Sequence, residues 1–277
     1  MTSIQRVLCA ALLSLSGLVL GQPNVTAWDT LNQGVESKNP EKRKQALVAV
    51  GSIGLAPQSI QLLEYGLLND EDTVVRQTAA ATLAQMKARQ SIPALQKALD
   101  DRSGEVAFQA AKSLWELGDR SSRDTLQEVL TGERKDATGL REGAIRDAKA
   151  KLHSPRALAK IGVKEASGAL LGPFSLGVTA AEDMMKDTGA PGRALAATLL
   201  GQDCDARGLQ LLEWTLKEDR NAAVKAAAAR ALGQCGSADD IPKLEQYLSD
   251  GRDSVKYMAA AAIVKLSMTG VKQAAAQ

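Results

Sequence analysis

Few side chains in this 277-residue chain have the type and spacing for chemistry. His153 is the single histidine, and it stands just before Ser154-Pro155, where it reads as a helix-end residue. A structural zinc site takes four Cys or His ligands, a set that one histidine and scattered cysteines do not offer. Aspartates and glutamates are plentiful, but they fall at helix-surface spacing and pair with no evident nucleophile. Neither G-x-x-x-x-G-K-[ST] nor a strand followed by G-x-G-x-x-G occurs, and the irregularly spaced glycines of the middle segment are a weak signal for a phosphate cradle. Asn24-Val25-Thr26 matches a glycosylation acceptor, which matters only in a eukaryotic host. The sequence therefore assigns no catalytic residue, no cofactor-binding residue and no metal ligand.

Cys204 and Cys235 have a more definite chemistry. Each follows a Leu-Gly-Gln phrase, Leu200-Gly201-Gln202 and Leu232-Gly233-Gln234, which places them in adjacent turns of a stacked structure. Stacked helices lie about 8–10 Å apart, beyond disulfide reach for identical positions. The two cysteines are offset by one residue in loops, which can close that gap. The sequence leaves both the bridged and the free form open, and a bridge would be structural.

The compartment bears on that chemistry. Met1 to Arg6 is short and carries one positive charge, and Val7 to Leu20 is apolar but too short for a comfortable membrane span. Val19-Leu20-Gly21 suits a cleavage site before Gln22, so residues 1–21 have the form of a secretory signal peptide. An uncleaved anchor is the alternative. Cys9 lies inside the apolar stretch, which does not favour a lipoprotein anchor. The expected address is exported, periplasmic or secreted, with cleavage after Gly21. There are 34 Lys and Arg against 32 Asp and Glu, alternating along the chain. A nucleic-acid binder concentrates its basic residues, so no nucleic-acid partner is expected.

The elements that position these residues repeat. Asp72-Thr-Val-Val75-Arg76-Gln-Thr-Ala79-Ala80-Ala-Thr-Leu83 matches Ser103-Gly-Glu-Val106-Ala-Phe-Gln-Ala110-Ala111-Lys-Ser-Leu114 at a shift of 31. Asn221-Ala-Ala-Val224-Lys225 matches the phrase at Val255-Lys256 at the same shift. Between them runs a second phrase, Ser91-Ile92-Pro93-Ala-Leu95 and Asp240-Ile241-Pro242-Lys-Leu244, with looser copies at Leu63…Leu67 and Leu212…Leu216. Asp72, Ser103 and Asn221 are good N-caps, and Ser91 and Asp240 are expected to cap the alternate helices. Val75, Ala79, Leu83 and Met86 share one helical face. A hairpin alone exposes that face, and stacking buries it. Hydrophobic residues at 45% with aromatics at only 3% suit close helix packing.

The phrases D-x-x-V-R-x-x-A-A and I-P-x-L at this period resemble the HEAT-like repeat family, particularly the short variant of the phycobilisome lyases. The resemblance covers roughly residues 39–132 and 188–268, and it implies an all-α fold, an α-solenoid of antiparallel helical hairpins interrupted by an irregular insertion. The family spans scaffolds, adaptors, lyases, hydroxylases and glycosylases. Its di-iron hydroxylases hold metal with several His-Glu pairs, which one histidine does not supply. The family's arginine survives as Arg76 but is Ala107, Lys225 and Lys256 elsewhere, so an Asp–Arg ladder is expected to be incomplete.

The expected organisation is a leader over 1–21, N-terminal repeats with a capping helix over 22–132, an insertion over 133–187, and C-terminal repeats over 188–277. Six hairpin-like units begin near Asn39, Asp70, Asp101, Thr188, Arg220 and Gly251. A helix from about Thr26 to Ser37 is expected to cap one end, with Trp28 and Leu31 against the first unit. Val255 to Leu266 is expected to close the other. Ala166 to Ala181 carries no charge and includes Gly168, Gly172, Pro173 and Gly177, and it reads as a buried connection or as a loop touching a partner or lipid.

The resemblance also implies that the V-R-x-x-A-A helix lines the concave side. Positions two, six and nine after its valine are expected to point away from the core at 100° per residue. They include Gln77, Phe108, Lys112, Trp115, Arg230 and Tyr257. The chain holds three Trp, three Tyr and two Phe, so three aromatics on one predicted face suit an interaction hot spot. Cover by the insertion is the alternative for Phe108 and Trp115. The function expected is a non-enzymatic extracytoplasmic scaffold binding a protein or peptide. A lyase-like enzyme subunit and a peripheral envelope protein contacting lipid through the insertion are the rivals.

Overall fold

Short polar caps followed by alanine-rich helices dictate the architecture. The structure is a computed structural model that describes residues 23–123, 125, 187 and 190–274. The leader, His153, the expected insertion up to residue 186 with Ala166–Ala181, and the residues from 126 to 132 lie outside the described residues.

Eleven α-helices are described: α1 (Pro23–Val35), α2 (Pro40–Ile53), α3 (Pro57–Asn69), α4 (Thr73–Gln85), α5 (Ile92–Lys97), α6 (Gly104–Glu116), α7 (Ala190–Asp203), α8 (Ala206–Glu218), α9 (Ala222–Cys235), α10 (Ile241–Glu245) and α11 (Asp253–Ala274). No strand occurs among the described residues. The fold is an α-solenoid, as its periodicity predicts.

Two of the five expected caps, Asp72 and Asn221, start their helices with side-chain bonds, and Asn39 does the same for α2. Asp72 Oδ1 accepts from the amides of Val74 and Val75 at 2.9 and 3.0 Å. Asn221 Oδ1 accepts from Ala223 and Val224, and Asn39 Oδ1 from Glu41. Each satisfies donors that the first helical turn leaves orphaned. Ser103 makes no side-chain cap bond. The alternate helices depart further. A 3₁₀ turn over Arg89–Ser91 leads into α5, and Ser91 is buried without a cap bond. Ahead of α10 the cap is Ser237, in a reciprocal box with Asp240.

Two layers result. The A helices α7, α9, α11, α2, α4 and α6 pack side by side in that spatial order, and the B helices lie against them. α3 packs on α2 and α4, and α8 packs on α7 and α9, so these B helices bridge their own A helix and the next, while α5 and α10 pack on the A helices that follow them, α6 and α11.

The order of the stack corrects the sequence reading. α1 does not cap an end, and α11 does not close one. α1 packs on both α11 and α2, as a B helix does. The first and last described helices together make one repeat, split across the sequence, and it sits in the middle of the stack. The C-terminal block precedes the N-terminal block in space. At this seam a Cβ placed on Gly34 would fall 2.6 Å from Tyr257 Cε1 and 2.7 Å from Ala46 Cβ, so glycine allows the close approach. Lys265 Nζ donates to the Ser52 carbonyl across the seam at 3.4 Å.

An Asp–Arg ladder ties consecutive repeats. Arg43 Nε and Nη2 donate to Asp70 at 2.8 Å each, and Arg76 donates likewise to Asp101 at 2.8 and 2.9 Å. Arg193 grips Asp219, with Nε at 2.6 Å. Each aspartate also holds the cap residue of the next helix: Asp70 accepts from Asp72 N, Asp101 from Ser103 N and Asp219 from Asn221 N. Burial pushes the Asp219 carboxyl up, but the Arg193 hydrogen bond and the Asn221 amide outweigh it and hold it below the ordinary range. Lys225 is too short for this role and donates to the Lys217 carbonyl at 2.8 Å.

Candidate interaction surface

A single register relates the A helices. The amide four residues after the cap donates to the cap carbonyl in Arg43–Asn39, Arg76–Asp72, Ala107–Ser103, Lys225–Asn221 and Lys256–Arg252, each at 3.1–3.2 Å. The residues predicted to face a partner fall five, nine and twelve positions after these caps. In a solenoid, an A helix is contacted by its B helices and by an A helix on either side. Those positions turn towards the stack more than away from it. This is a correction to the expected concave face.

The individual residues separate accordingly. Tyr257 is 3% exposed and lies beside Gly34 in the seam. Burial pushes its hydroxyl up to about 12. It is a core residue of the split repeat and faces no open surface. Gln77 and Phe108 are half-buried. Arg230 is half-buried, donates from Nη2 to Thr198 Oγ1 at 3.5 Å, and is held below the usual guanidinium range by burial. Lys265 is lowered by burial and then by the charge of nearby Arg230. Lys112 is exposed, and so is Trp115 at 42%. Arg120 Cζ stacks 3.9 Å above the Trp115 ring, and Arg120 Nη1 donates to the Trp115 carbonyl at 2.9 Å.

The predicted set therefore divides into three places. Phe108, Lys112 and Trp115 share one face of α6, the last A helix of its block among the described residues. Arg230 and Gln77 lie on interior helices α9 and α4, and Tyr257 is inside the seam.

Exposed aromatics on the B layer went unread in the sequence. Tyr65 on α3 and Trp214 on α8 are 63% and 61% exposed, with Leu68 and Leu211 exposed near them. Both rings follow the buried leucine of their phrase, Leu63 or Leu212, by two residues. That shared spacing was the available signal.

Cys204 and Cys235 are joined by a disulfide, with their Cα atoms 5.0 Å apart. Cys204 adopts φ +57°, which turns the chain out of α7 towards its partner. Close packing of α7 on α9 makes the reach: a Cβ on Gly201 would fall 2.6 Å from Ala231 Cβ. Among the described residues no three His, Cys, Asp or Glu side chains converge as a metal-holding group, and no helix is long and apolar enough to cross a membrane.

The family comparison agrees with this architecture. The family model for HEAT repeats matches residues 5–84, 63–146 and 179–264. A search of curated proteins finds no match. Among solved structures, human deoxyhypusine hydroxylase in complex with glycerol is similar at 19% identity, covering 88% of this chain and 98% of that one, with a TM-score of 0.34. An engineered protein is similar at 19% identity, covering 87% of this chain and 96% of its own, with a TM-score of 0.27.

Proposed function

The chain belongs to the HEAT repeat family, and from that premise we propose that it is a non-enzymatic extracytoplasmic scaffold binding a protein or peptide along its A-helix surface. The observation that carries this reading is the unbroken row of six A helices. On it Thr198, Arg230, Lys265, Ser52, Gln77 and Gln85 stand partly open among buried small residues. A repeat stack presents an extended surface of this kind, and partners commonly use it. Export belongs to the same reading. Residues 1–21 have the form of a signal peptide, and the Cys204–Cys235 bridge is the form an oxidising compartment maintains.

The test places a photo-crosslinking amino acid at Gln77 on the A layer or at Tyr65 on the B layer of the tagged full chain. Irradiation in the native envelope fraction is expected to give a discrete adduct from position 77 and none from position 65. Adducts from position 65 alone, or from neither, would remove the A-helix surface as the binding face.

A further inference from the structure

The turns that end the A helices share one conformation, with a single departure. Eleven residues after the ladder position of α2, α4, α6, α7 and α9, held by Arg43, Arg76, Ala107, Arg193 and Lys225, stand Gly54, Lys87, Gly118, Cys204 and Gly236. The first four have positive φ, at +104°, +55°, +86° and +57°. Positive φ at this place stops a helix and turns the chain off its axis. Gly236 is instead extended, with φ −73° and ψ −179°, although glycine enters the left-handed region at no steric cost.

The bonds around that turn differ in the same way. After α4 and α6 the following amide reaches back to the helix, Ala88 N–H to the Leu83 carbonyl at 3.0 Å and Asp119 N–H to the Leu114 carbonyl at 2.9 Å. The equivalent pair after α9 is Ser237 N–H and the Leu232 carbonyl. Ser237 N–H donates instead to Asp240 Oδ2 at 2.9 Å, and Gly236 N–H takes the Leu232 carbonyl at 2.7 Å. Asp240 Oδ1 also accepts from Lys243, which reaches Glu213 on α8, so this arrangement ties α10 to α8. The residue before Gly236 is Cys235, bridged to Cys204, and its Sγ lies 2.9 Å from the Gly201 carbonyl on the last turn of α7. Cys204 is exposed and Cys235 half-buried.

We propose that the Cys204–Cys235 bridge is a redox switch for the turn between α9 and α10. Formed, it holds Gly236 extended and Ser237 on Asp240. Reduced, it lets Gly236 take the positive φ of the other turns and returns the Ser237 amide to the Leu232 carbonyl. The reductant is a dithiol. One of its thiolates attacks Sγ of exposed Cys204, the S–S bond breaks, and Cys235 leaves as a thiolate. The second thiolate of the reductant then displaces Cys204 from the mixed disulfide. Two electrons pass to the bridge, and the two protons lost by the dithiol end on the two cysteine thiols.

The test compares the full chain oxidised and reduced with dithiothreitol. Backbone NMR shifts are expected to give Gly236 negative φ in the oxidised chain and positive φ in the reduced one. A reduced chain in which Gly236 stays extended, or in which α9 melts, overturns the proposal. A second measurement needs no structure of the reduced state. Asp240 grips Ser237 only while the bridge is formed, so Asp240→Ala is expected to shift the thiol–disulfide equilibrium with dithiothreitol towards the reduced form. The shift should be about tenfold, the scale of a hydrogen bond to a charged group. An equilibrium equal to that of wild type overturns the proposal independently.

Discussion

Arg76 is almost fully buried, and its guanidinium makes two parallel bonds to Asp101 while Nη1 reaches the carbonyls of Asp70 and Glu71 at 2.8 and 3.1 Å. One side chain therefore holds both the start of its own helix and the loop that begins the next. Removing one partner of a buried, hydrogen-bonded pair strands the other and costs about 3–5 kcal/mol. Arg76→Ala is expected to lose stability on that scale, read as a lower urea midpoint with little change in slope. A loss within the range of an exposed salt bridge, below about 1 kcal/mol, would show that the rung is dispensable. Arg76 was legible because it sits in the full phrase D-x-x-V-R. Arg43 and Arg193 hold the same rung but follow Glu-Lys and Pro-Gly rather than two valines, so their register showed only once the caps were placed. The ladder has three arginine rungs among the described residues, where the sequence promised one.

At the scale of elements, helix existence and type were readable and helix surroundings were not. The 31-residue shift and the caps predicted α4, α6, α9 and α11. The error lay in assigning Gln77, Phe108, Lys112, Trp115, Arg230 and Tyr257 to one outward face, because periodicity locates a helix's core stripe but not its number of neighbours. An A helix with contacts on several sides turns most of its surface inward, which is why Ala226 and Tyr257 are both buried at one register position. The seam between α1 and α11 shows the same dependence on packing. Gly34→Ala is expected to destabilise the protein by about 1–3 kcal/mol, because the new methyl overpacks against Tyr257 and Ala46. In a Tyr257→Leu background the ring is gone and the penalty should shrink. Equal penalties in both backgrounds would show that the clash is not at this ring.

For the whole molecule, the sequence carried the repeat class and concealed the order of the repeats. Self-similarity reports which segments are alike, and nothing in α1 or α11 announces that each lacks half of a hairpin. The pairing depends on a glycine facing a tyrosine across more than two hundred residues of chain. A variant lacking residues 253–274 tests the order directly. In an ordinary repeat array, loss of an outermost helix costs little beyond its own contacts. Here the loss removes a middle step, so amide exchange is expected to rise in α1, α2 and α9 together. Protection retained in α1 and α2 would place α11 at an end after all.

The split repeat also sets how the molecule would carry mechanical load. Pulling between residues 123 and 190 would load the five described A-helix steps in series, because those residues lie at opposite ends of the described row. Pulling between residues 23 and 274 would bear on the α1–α11 contact and on α2, which both helices touch. The same chain is thus a long spring along one pair of attachment points and a three-helix clasp along the other.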